Sequence, residues 1–530
     1  MKVISILLLG AAVLCGCASV IGDNFKAESL TVGEFFENPV GRSLEDLSFS
    51  WKMPLVRDGA AQSAYRIVVS SGEKQVWDSG KVESSQSVKV PYKGVAIEPR
   101  AQYSWRVMIW DEKGNPSEWS DTATFEAGLL KKSDWVGEWI STPESVRDLY
   151  TCLLPQKKGG KKLDSRKGVP PAYFRKTFDV KEGLVSARLY IATLGIFEAY
   201  ANGDKIGNEF WGTGWTQYEK RVTSDTFDIT SMLKKGENTV GVIIADGWYA
   251  GRIVNREGTS PKPELLAQIE LKYADGSTLT IPTNATWKTA LGAYAYSDIY
   301  DGESFDARLS PKGWDKNGFD ASAWKNADAK NISSKNIFIT PRRNQPIRVC
   351  QQLFPVSVNE VSDGVFVFDL GQNMVGVPRI TVKGEAGKQV KIRFAEMLEK
   401  DGTLYTANYR SALSTDHFTP ASDGLETYQP KFTFHGFRYV ELSGMAKGWK
   451  PTKDAVLGLV MHNDMPKTGA FECSNAKVNK LQNNIVWGQK SNYFSVPTDC
   501  PQRDERMGWT GDAQVFTPTA AFNMNVDGFF

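Results

Sequence analysis

A short stretch near the C-terminal end, "SVPTDCPQRDERMGWTGDAQVF", holds the side chains best suited to chemistry. Within it lie four carboxylates, two arginines and one indole: Asp499, Asp504, Glu505, Asp512, Arg503, Arg506 and Trp509. Carboxylates this close repel one another unless arginines and hydrogen bonds intervene, so one can stay protonated while its neighbours are ionised. Such a protonated carboxyl, beside carboxylates that hold a sugar, is what acid-catalysed cleavage of a glycosidic bond requires.

The residues alone leave three interpretations of this stretch open. A charge-rich loop commonly forms a surface salt-bridge network. Calcium binding would use the same oxygen ligands, but the stretch lacks the alternating acidic pattern of a calcium loop and contains two arginines. In a glycosidase site, the third interpretation, Trp509 would supply an apolar wall for a sugar ring.

Two helices are predicted on either side of this acidic stretch. "SNAKVNKLQNNIVWGQKSNYF" places apolar residues at helical intervals, with Ser474 as a candidate N-cap. "GDAQVFTPTAAFN" predicts a second helix, which Thr510 can cap and Pro518 is expected to kink. Because the residue before a proline avoids the helical region, Pro497 and Pro501 place the residues between the helices in a loop.

Upstream of the helices, the sequence has the alternation typical of β-strands. Residues 33–128 predict a fibronectin type III-like sandwich with Trp51 as a core indole. Residues 134–336 predict a jelly-roll sandwich, and residues 340–467 a further β-sandwich. With a helical segment at residues 470–530, the fold class is a multidomain, mainly β protein that ends in helices.

Some side chains of these sheets are open to a functional or a structural interpretation. Jelly rolls often carry sugar-binding loops, so four aromatic residues could be sugar platforms or could simply pack: Trp211, Trp215, Trp248 and Tyr249. His435 precedes a predicted strand and is expected to be a hydrogen-bonded structural histidine.

Composition excludes several classes of function. The 530 residues include 63 Lys plus Arg and 61 Asp plus Glu, a net charge of +2 that gives no electrostatic case for nucleic-acid binding. Three histidines are too few for a multi-histidine metal site, and no cofactor is implied. Downstream of residue 17 the cysteines are widely spaced and are predicted to be free, buried thiols: Cys152, Cys350, Cys473 and Cys500.

The N-terminus, "MKVISILLLGAAVLCGCASV", predicts export. Residues 1–17 contain one basic residue, an apolar run too short to span a bilayer, and then small residues, as in a signal peptide. "LCGC" also resembles a bacterial lipobox, in which Cys17 would be lipidated; an ordinary secretory signal is the alternative. The expected location is the periplasm or, through a lipid anchor, the outer membrane of a bacterium.

The string "TDCPQRDERMGWTGDAQVF" closely resembles the signature of bacterial α-L-rhamnosidases of glycoside hydrolase family seventy-eight. Further strings resemble the upstream domains of that family: "DLGQNMVG", "FTFHGFRYVEL", "YIATLGIFEAYANGDKIG" and "IYDGESFDAR". The resemblance covers residues 33–530 in matching order, which makes it specific.

The resemblance implies an inverting hydrolase that releases terminal α-L-rhamnose from glycans or glycosides, with residues 470–530 beginning an (α/α)6 catalytic barrel. Glu505 matches the general acid of the family, and Asp499 and Asp512 match carboxylates that bind rhamnose hydroxyls. Arg503 matches a substrate-side or orienting arginine, and Trp509 an aromatic wall of the sugar pocket.

The same resemblance leads to an expectation about length. An inverting enzyme needs a second carboxylate to activate water, and in the family this base is a glutamate further along the barrel. Residues 471–530 are too few for twelve helices, which need about 200 residues. The sequence is therefore interpreted as C-terminally truncated and is expected by itself to hydrolyse little or nothing.

Other functions stay open from the sequence. A surface lipoprotein could bind rhamnose-containing glycans without cutting them, and stacked sandwiches could serve as a structural scaffold. Another exo-acting glycosidase on the same barrel is the alternative among enzymes.

Overall fold

The computed structural model describes residues 25–54, 57–147, 170–253 and 261–530. The predicted signal peptide with Cys17, and also Cys152, lie outside the described residues. Internal contacts divide the chain into two compact units. The first comprises Met1–Asn38, Asp46–Ala96 and Gln102–Phe125, and the second comprises Pro39–Glu45, Ile97–Ala101 and Glu126–Phe530.

The N-terminal part of the chain forms strands that pair antiparallel, except for the parallel pair β2 and β9. In the described residues up to 127 these are β1 Glu28–Val32, β2 Val40–Arg42, β3 Ser48–Lys52, β4 Gln62–Ser71, β5 Lys74–Asp78, β6 Val82–Glu83, β7 Val90–Pro91, β8 Gln102–Asp111 and β9 Ala123–Ala127. In the first unit β3 pairs with β1 and β7, and β4 pairs with β5, β6 and β8. Phe49 packs on Trp105 with ring centroids 4.5 Å apart, and the buried Trp51 donates to Gln62 at 2.9 Å. The predicted core indole is confirmed.

The second unit begins with two facing sheets. Its strands up to residue 341 are β10 Trp139–Ser141, β11 Ala172–Val180, β12 Leu184–Leu194, β13 Ile196–Ala201, β14 Asp204–Lys205, β15 Arg221–Asp228, β16 Gly236–Ala245, β17 Glu264–Tyr273, β18 Thr278–Pro282, β19 Lys288–Leu291, β20 Tyr294–Asp298, β21 Gly302–Asp306, β22 Lys325–Asn326, β23 Asp328–Lys330 and β24 Phe338–Pro341, and α1 is Glu144–Arg147. One sheet has the order β23-β10-β17-β12-β15-β24 and the other β14-β13-β16-β11-β19-β22. Buried residues of both sheets, such as Leu189 and Val242, share one core, as a sandwich requires.

The jelly-roll aromatics pack in the interior. Trp211 and Trp248 are buried and meet edge to face at 5.0 Å, and the Trp211 indole donates to the Lys431 carbonyl at 2.7 Å. Trp215 is half-buried and stacks on Trp248. Tyr249 is half-buried and meets Tyr218 edge to face at 5.2 Å. Of the two interpretations, packing is the one that these contacts favour.

The third block is built around one large sheet. Its strands, and two short ones after residue 492, are β25 Ile347–Leu353, β26 Ser357–Ser362, β27 Val365–Lys383, β28 Val390–Ala395, β29 Met397–Leu398, β30 Leu404–Tyr405, β31 Thr415–Thr419, β32 Leu425–Tyr428, β33 His435–Ser443, β34 Val456–Asn463, β35 Tyr493–Phe494 and β36 Val496–Pro497. The sheet order is β20-β21-β31-β28-β33-β27-β34-β25. The hairpin β20–β21, within the range predicted for the jelly roll, thus extends this sheet through parallel pairing of β21 with β31.

His435 has the structural role that the sequence predicts. Its imidazole is fully buried, stacks on Phe394 at 4.0 Å and hydrogen-bonds the buried Asp416 carboxylate at 3.1 Å. Burial lowers the pKa of His435, so the ring is held neutral.

Two longer helices follow the sheets, α2 at Ala476–Asn492 and α3 at Thr510–Asn523. The N-cap of α2 is Asn475, not Ser474, because the Asn475 side chain accepts the Lys477 N–H at 3.0 Å. Thr510 is the first residue of α3 and not its cap, and Pro518 lies inside the helix. None of the helices in the described ranges is long and apolar enough to cross a membrane.

The cysteines of the described residues agree with the sequence only in part. Cys350, Cys473 and Cys500 are free thiols, as predicted. The prediction that they are buried is wrong, because Cys350 is exposed and the other two are half-buried. Cys350 lies on β25, an edge strand of its sheet, and Cys473 and Cys500 lie outside the helices and strands, where fewer neighbours cover a side chain.

A charged cluster connects β13 to the segment before β33. Glu198 is buried, and its carboxylate pairs with Lys431 at 2.8 Å and with Lys205 at 2.9 Å. Burial by itself would raise the pKa of Glu198, but the two ammonium groups and the hydrogen bonds from Lys431 and Tyr200 lower it to about 2. The buried carboxylate is therefore compensated on several sides.

We expect Glu198→Gln to destabilise the folded chain by about 2 kcal/mol at pH 7, because two partly covered cations lose their counter-ion. A lowered carboxyl pKa stabilises the folded state above the ordinary value of 4.5, and this contribution disappears as the pH falls towards 2. Urea unfolding should therefore show a difference between variant and wild type that shrinks below pH 4.5. Glu182→Gln, in an exposed pair with Lys235, is the control, and an equal loss there would contradict the prediction.

Candidate active site

The acidic stretch forms a loop between α2 and α3 that is organised around Arg506. The guanidinium of Arg506 is fully buried and donates to main-chain carbonyls at Ile299, Phe434 (2.6 Å), Gln502 (3.1 Å) and Arg503 (3.2 Å). Burial lowers the pKa of Arg506 to about 10. The expectation that Arg506 separates the carboxylates is wrong, because these carbonyls take up its donors. A buried cation is tolerated only when its donors are satisfied in this way.

Glu505 lies directly before this arginine and is held from two sides. Its backbone N–H donates to the Arg503 carbonyl at 2.8 Å, and its carbonyl accepts the Tyr300 hydroxyl at 2.7 Å. The side chain is 9% exposed, and its Oε1 accepts the indole N–H of Trp509. Its Oε2 is buried and has no hydrogen-bond partner among the described residues. The two oxygens of this carboxyl are thus in different surroundings.

Asp499 and Asp512 lie together at a cavity of about 600 Å³ between α2 and α3. Burial, the charges of Asp512 and Glu505 and a hydrogen bond with Asp512 raise the pKa of Asp499, while Arg503 opposes this. Two carboxyls that share a hydrogen bond favour retention of one proton. Asp512 lies in the first turn of α3, where the helix dipole favours a negative charge.

The other residues of the loop fall into two groups. Arg503 and Trp509 lie at the carboxylates: the Arg503 charge acts on Asp499, and the half-exposed Trp509 binds Glu505. Asp504 contacts the β-sandwich instead, where its carboxylate accepts the N–H of Ser411 at 3.2 Å and the Ser411 hydroxyl. The structure therefore directs Asp504 to the sandwich and Asp499 and Asp512 to the cavity.

Sequence reasoning missed the upstream residues that hold this loop. Tyr300 binds the Glu505 carbonyl, Ser411 binds Asp504, and Glu396 accepts the Gln502 amide at 3.0 Å. Tyr300 lies in "IYDGESFDAR", a string that the resemblance uses only to mark an upstream domain, and Glu396 lies in "AEMLEKDG". Nothing local in these strings indicates a contact about 100 to 200 residues away.

A metal site would need a cluster of ligands. Within the described part of the chain, no group of three or more His, Cys, Asp or Glu side chains is arranged to hold a metal ion. The carboxylates of the acidic loop do not converge on one point, because Asp504 points to the sandwich and Asp499 points to the cavity.

Models of known domains match the chain in consecutive segments. An N-terminal immunoglobulin domain of the Rha78A type matches residues 27–131, and the α-L-rhamnosidase N-terminal domain matches residues 182–351. The bacterial α-L-rhamnosidase concanavalin-like domain matches residues 359–462, and the six-hairpin glycosidase domain matches residues 466–530.

Curated relatives are similar over nearly the whole chain. An α-L-rhamnosidase of Formosa agariphila is 42% identical over 95% of this chain and 54% of its own length. One of Alteromonas sp. is 42% identical over 98% of this chain and 56% of its own length. The chain spans about half the length of these relatives.

Solved structures share the fold. The α-L-rhamnosidase from Dictyoglumus thermophilum superimposes with a TM-score of 0.87 at 36% identity, covering 96% of this chain and 56% of that one. The Streptomyces avermitilis α-L-rhamnosidase, complexed with L-rhamnose, gives a TM-score of 0.86 at 32% identity, covering 95% of this chain and 64% of that one. The mainly β, multidomain fold with helices at its C-terminal end is confirmed. With rhamnosidase domain models following one another and such relatives over nearly its whole length, the chain belongs to the bacterial α-L-rhamnosidase family.

Proposed function

We propose that this chain serves the hydrolysis of terminal α-L-rhamnose from glycans or glycosides, with Glu505 as general acid. The observation that carries the proposal is the Glu505 carboxyl, with one oxygen bound by Trp509 and the other buried and unpartnered among the described residues. A general acid presents its proton in one direction, and the bond from the indole fixes the orientation of this carboxyl.

The remaining loop residues have roles that follow from their positions. Asp499 and Asp512 would accept hydrogen bonds from rhamnose hydroxyls, since both carboxyls line the cavity. Arg503 would orient these carboxyls or contact the sugar, and the half-exposed Trp509 would cover an apolar sugar face. The relative that is complexed with L-rhamnose supports this choice of ligand.

Chemically, the Glu505 proton passes to the glycosidic oxygen as the bond between that oxygen and the anomeric carbon of rhamnose breaks. In an inverting reaction a second carboxylate removes a proton from the attacking water on the opposite face. No described residue is assigned to that base. The proposal for this chain is therefore the acid and the sugar-binding part of the site.

Glu505→Gln tests the acid. It keeps the shape and the bond to Trp509 but removes the proton, so hydrolysis of a rhamnosyl disaccharide should fall by at least about 100-fold. Because the relatives are about twice as long, rates are measured for the chain and for a chimaera that adds the Formosa agariphila sequence beyond the matched region. Glu472→Gln, at an exposed position of the same domain, is the control. Near-normal disaccharide turnover by Glu505→Gln would remove Glu505 from the acid role.

Asp499→Asn and Asp512→Asn test sugar binding. Each replaces an ionisable acceptor at the cavity, so the Kd of the 530-residue chain for L-rhamnose should rise by about tenfold or more, as measured by titration calorimetry. Asp363→Asn, an exposed substitution in the β-sandwich, should leave the Kd unchanged. Unchanged binding in both cavity variants would contradict the assignment.

Export and lipidation are part of the proposal. Residues 1–17 are proposed to direct export, with Cys17 carrying the lipid that anchors the protein to the outer membrane. In bacteria fed a clickable fatty acid, the wild-type protein should be labelled and Cys17→Ser should not. Label that persists in Cys17→Ser, or no label on the wild type, would rule out this anchor.

A further inference from the structure

The turn between β20 and β21, Asp298 to Asp301, contacts the loop that carries Glu505 at two successive residues. The Ile299 carbonyl accepts a hydrogen bond from Arg506, and the Tyr300 hydroxyl donates to the Glu505 carbonyl at 2.7 Å. The turn lies more than 190 residues upstream of the loop. Its residues 299–301 are part of "IYDGESFDAR", a string outside the acidic stretch.

The turn is itself rigidly held. The Asp298 carboxylate accepts the backbone N–H of Tyr300 at 2.8 Å, of Asp301 at 3.1 Å and of Arg252 at 2.8 Å. Tyr300 is 1% exposed, and the guanidinium carbons of Arg252 and Arg506 both lie 5.8 Å from its ring centroid. The phenol ring is buried between two guanidinium groups, so the position of its hydroxyl is fixed.

A second path of hydrogen bonds reaches the same loop one residue earlier. Arg252 pairs with Asp301 and donates to the Ser411 hydroxyl at 2.8 Å and to the Ser411 carbonyl at 3.2 Å. Ser411 in turn donates to Asp504, the residue before Glu505. The backbone on both sides of Glu505 is therefore connected to the turn.

This connection matters because the Glu505 side chain has few restraints of its own. Its one hydrogen-bond partner is Trp509 among the described residues, and that indole is 46% exposed. Arg506 follows with φ of +46°, a backbone conformation that non-glycine residues seldom adopt and that needs outside contacts to persist. The direction of the carboxyl thus depends on the peptide between residues 505 and 506, whose carbonyl Tyr300 binds.

We infer that Tyr300 is a positioning residue for the general acid: its hydroxyl fixes the Glu505 carbonyl and so aims the carboxyl at the glycosidic oxygen. This inference rests on the proposed function for its chemical meaning. Its structural claim, that the hydroxyl orders the loop, can be measured without any turnover.

Tyr300→Phe removes the hydroxyl and keeps the ring. In the 530-residue chain, hydrogen exchange followed by mass spectrometry should show at least about tenfold faster exchange in peptides covering residues 499–509, because the loop loses its anchor. Tyr218→Phe is the matched control, since Tyr218 is also buried and its hydroxyl donates to the Gly214 carbonyl at 3.2 Å. Unaltered exchange of residues 499–509 in Tyr300→Phe would overturn the inference.

A leaving-group comparison separates positioning from general loss of stability. p-Nitrophenol leaves with little need of a proton, whereas a sugar alcohol needs one. In the chimaera that adds the Formosa agariphila sequence beyond the matched region, Tyr300→Phe should lower kcat for a rhamnosyl disaccharide by about tenfold and kcat for p-nitrophenyl α-L-rhamnoside by less than about threefold, with little change in KM. Equal losses on both substrates would overturn the role in aiming the acid.

The outcomes keep the inference and the proposed function apart. If the wild-type chimaera hydrolyses neither rhamnoside, that counts against the proposed function, and exchange of the loop in the 530-residue chain decides whether Tyr300 positions it. If Tyr300→Phe fails to fold by circular dichroism, Asp298→Asn, which weakens the hydrogen bonds that hold the backbone of Tyr300, takes its place with the same readouts. Normal exchange in that folded variant would likewise overturn the inference.

Discussion

The buried guanidinium of Arg506 is the interaction on which the acidic loop depends. A cation without solvent must find a hydrogen-bond acceptor for each donor group, and here the acceptors are main-chain carbonyls of three separate regions of the second unit: Ile299, Phe434 and the loop itself. Each of those carbonyls is thereby fixed relative to the others. The loop can keep its strained backbone at Arg506 only because this set of bonds is closed.

The hydrogen bonds of Arg506 connect the loop between α2 and α3 to the sheets of the second unit. The hairpin β20–β21 follows the jelly-roll strands in sequence yet pairs with the β-sandwich through β31. Its turn is then in contact with the loop between α2 and α3. The hairpin follows the jelly-roll strands in sequence and pairs with the β-sandwich. Through Tyr300 it also binds the backbone of Glu505, so it connects both sandwiches to the loop.

The carboxylates of the loop show how position separates chemically identical groups. Asp504 is used by Ser411, and Asp499 shares a hydrogen bond with Asp512 at the cavity. Glu505 is bound by the Trp509 indole. These carboxylates are close in the chain, but their partners lie in different directions, so the fold gives each of them a different environment.

Much of the architecture was predictable from the sequence, and the reason is periodicity. Alternation with period two marks the sheets, the change to helical spacing marks α2 and α3, and both report the local environment of each residue. The N-cap of α2 was less predictable, because Ser474 and Asn475 are adjacent and either residue type can cap a helix. The packing of Trp211 was also less predictable, because an indole is suited to a sugar-binding surface as well as to a core.

The sequence by itself determined the order of the domains, the fold class and the crowding of acidic residues around Glu505. Only the tertiary structure decided that Arg506 binds carbonyls, that Asp504 faces the sandwich, and that Tyr300 binds the backbone carbonyl of Glu505. The physical reason is that these are contacts between residues far apart in the chain, and such contacts leave no periodic pattern at either end.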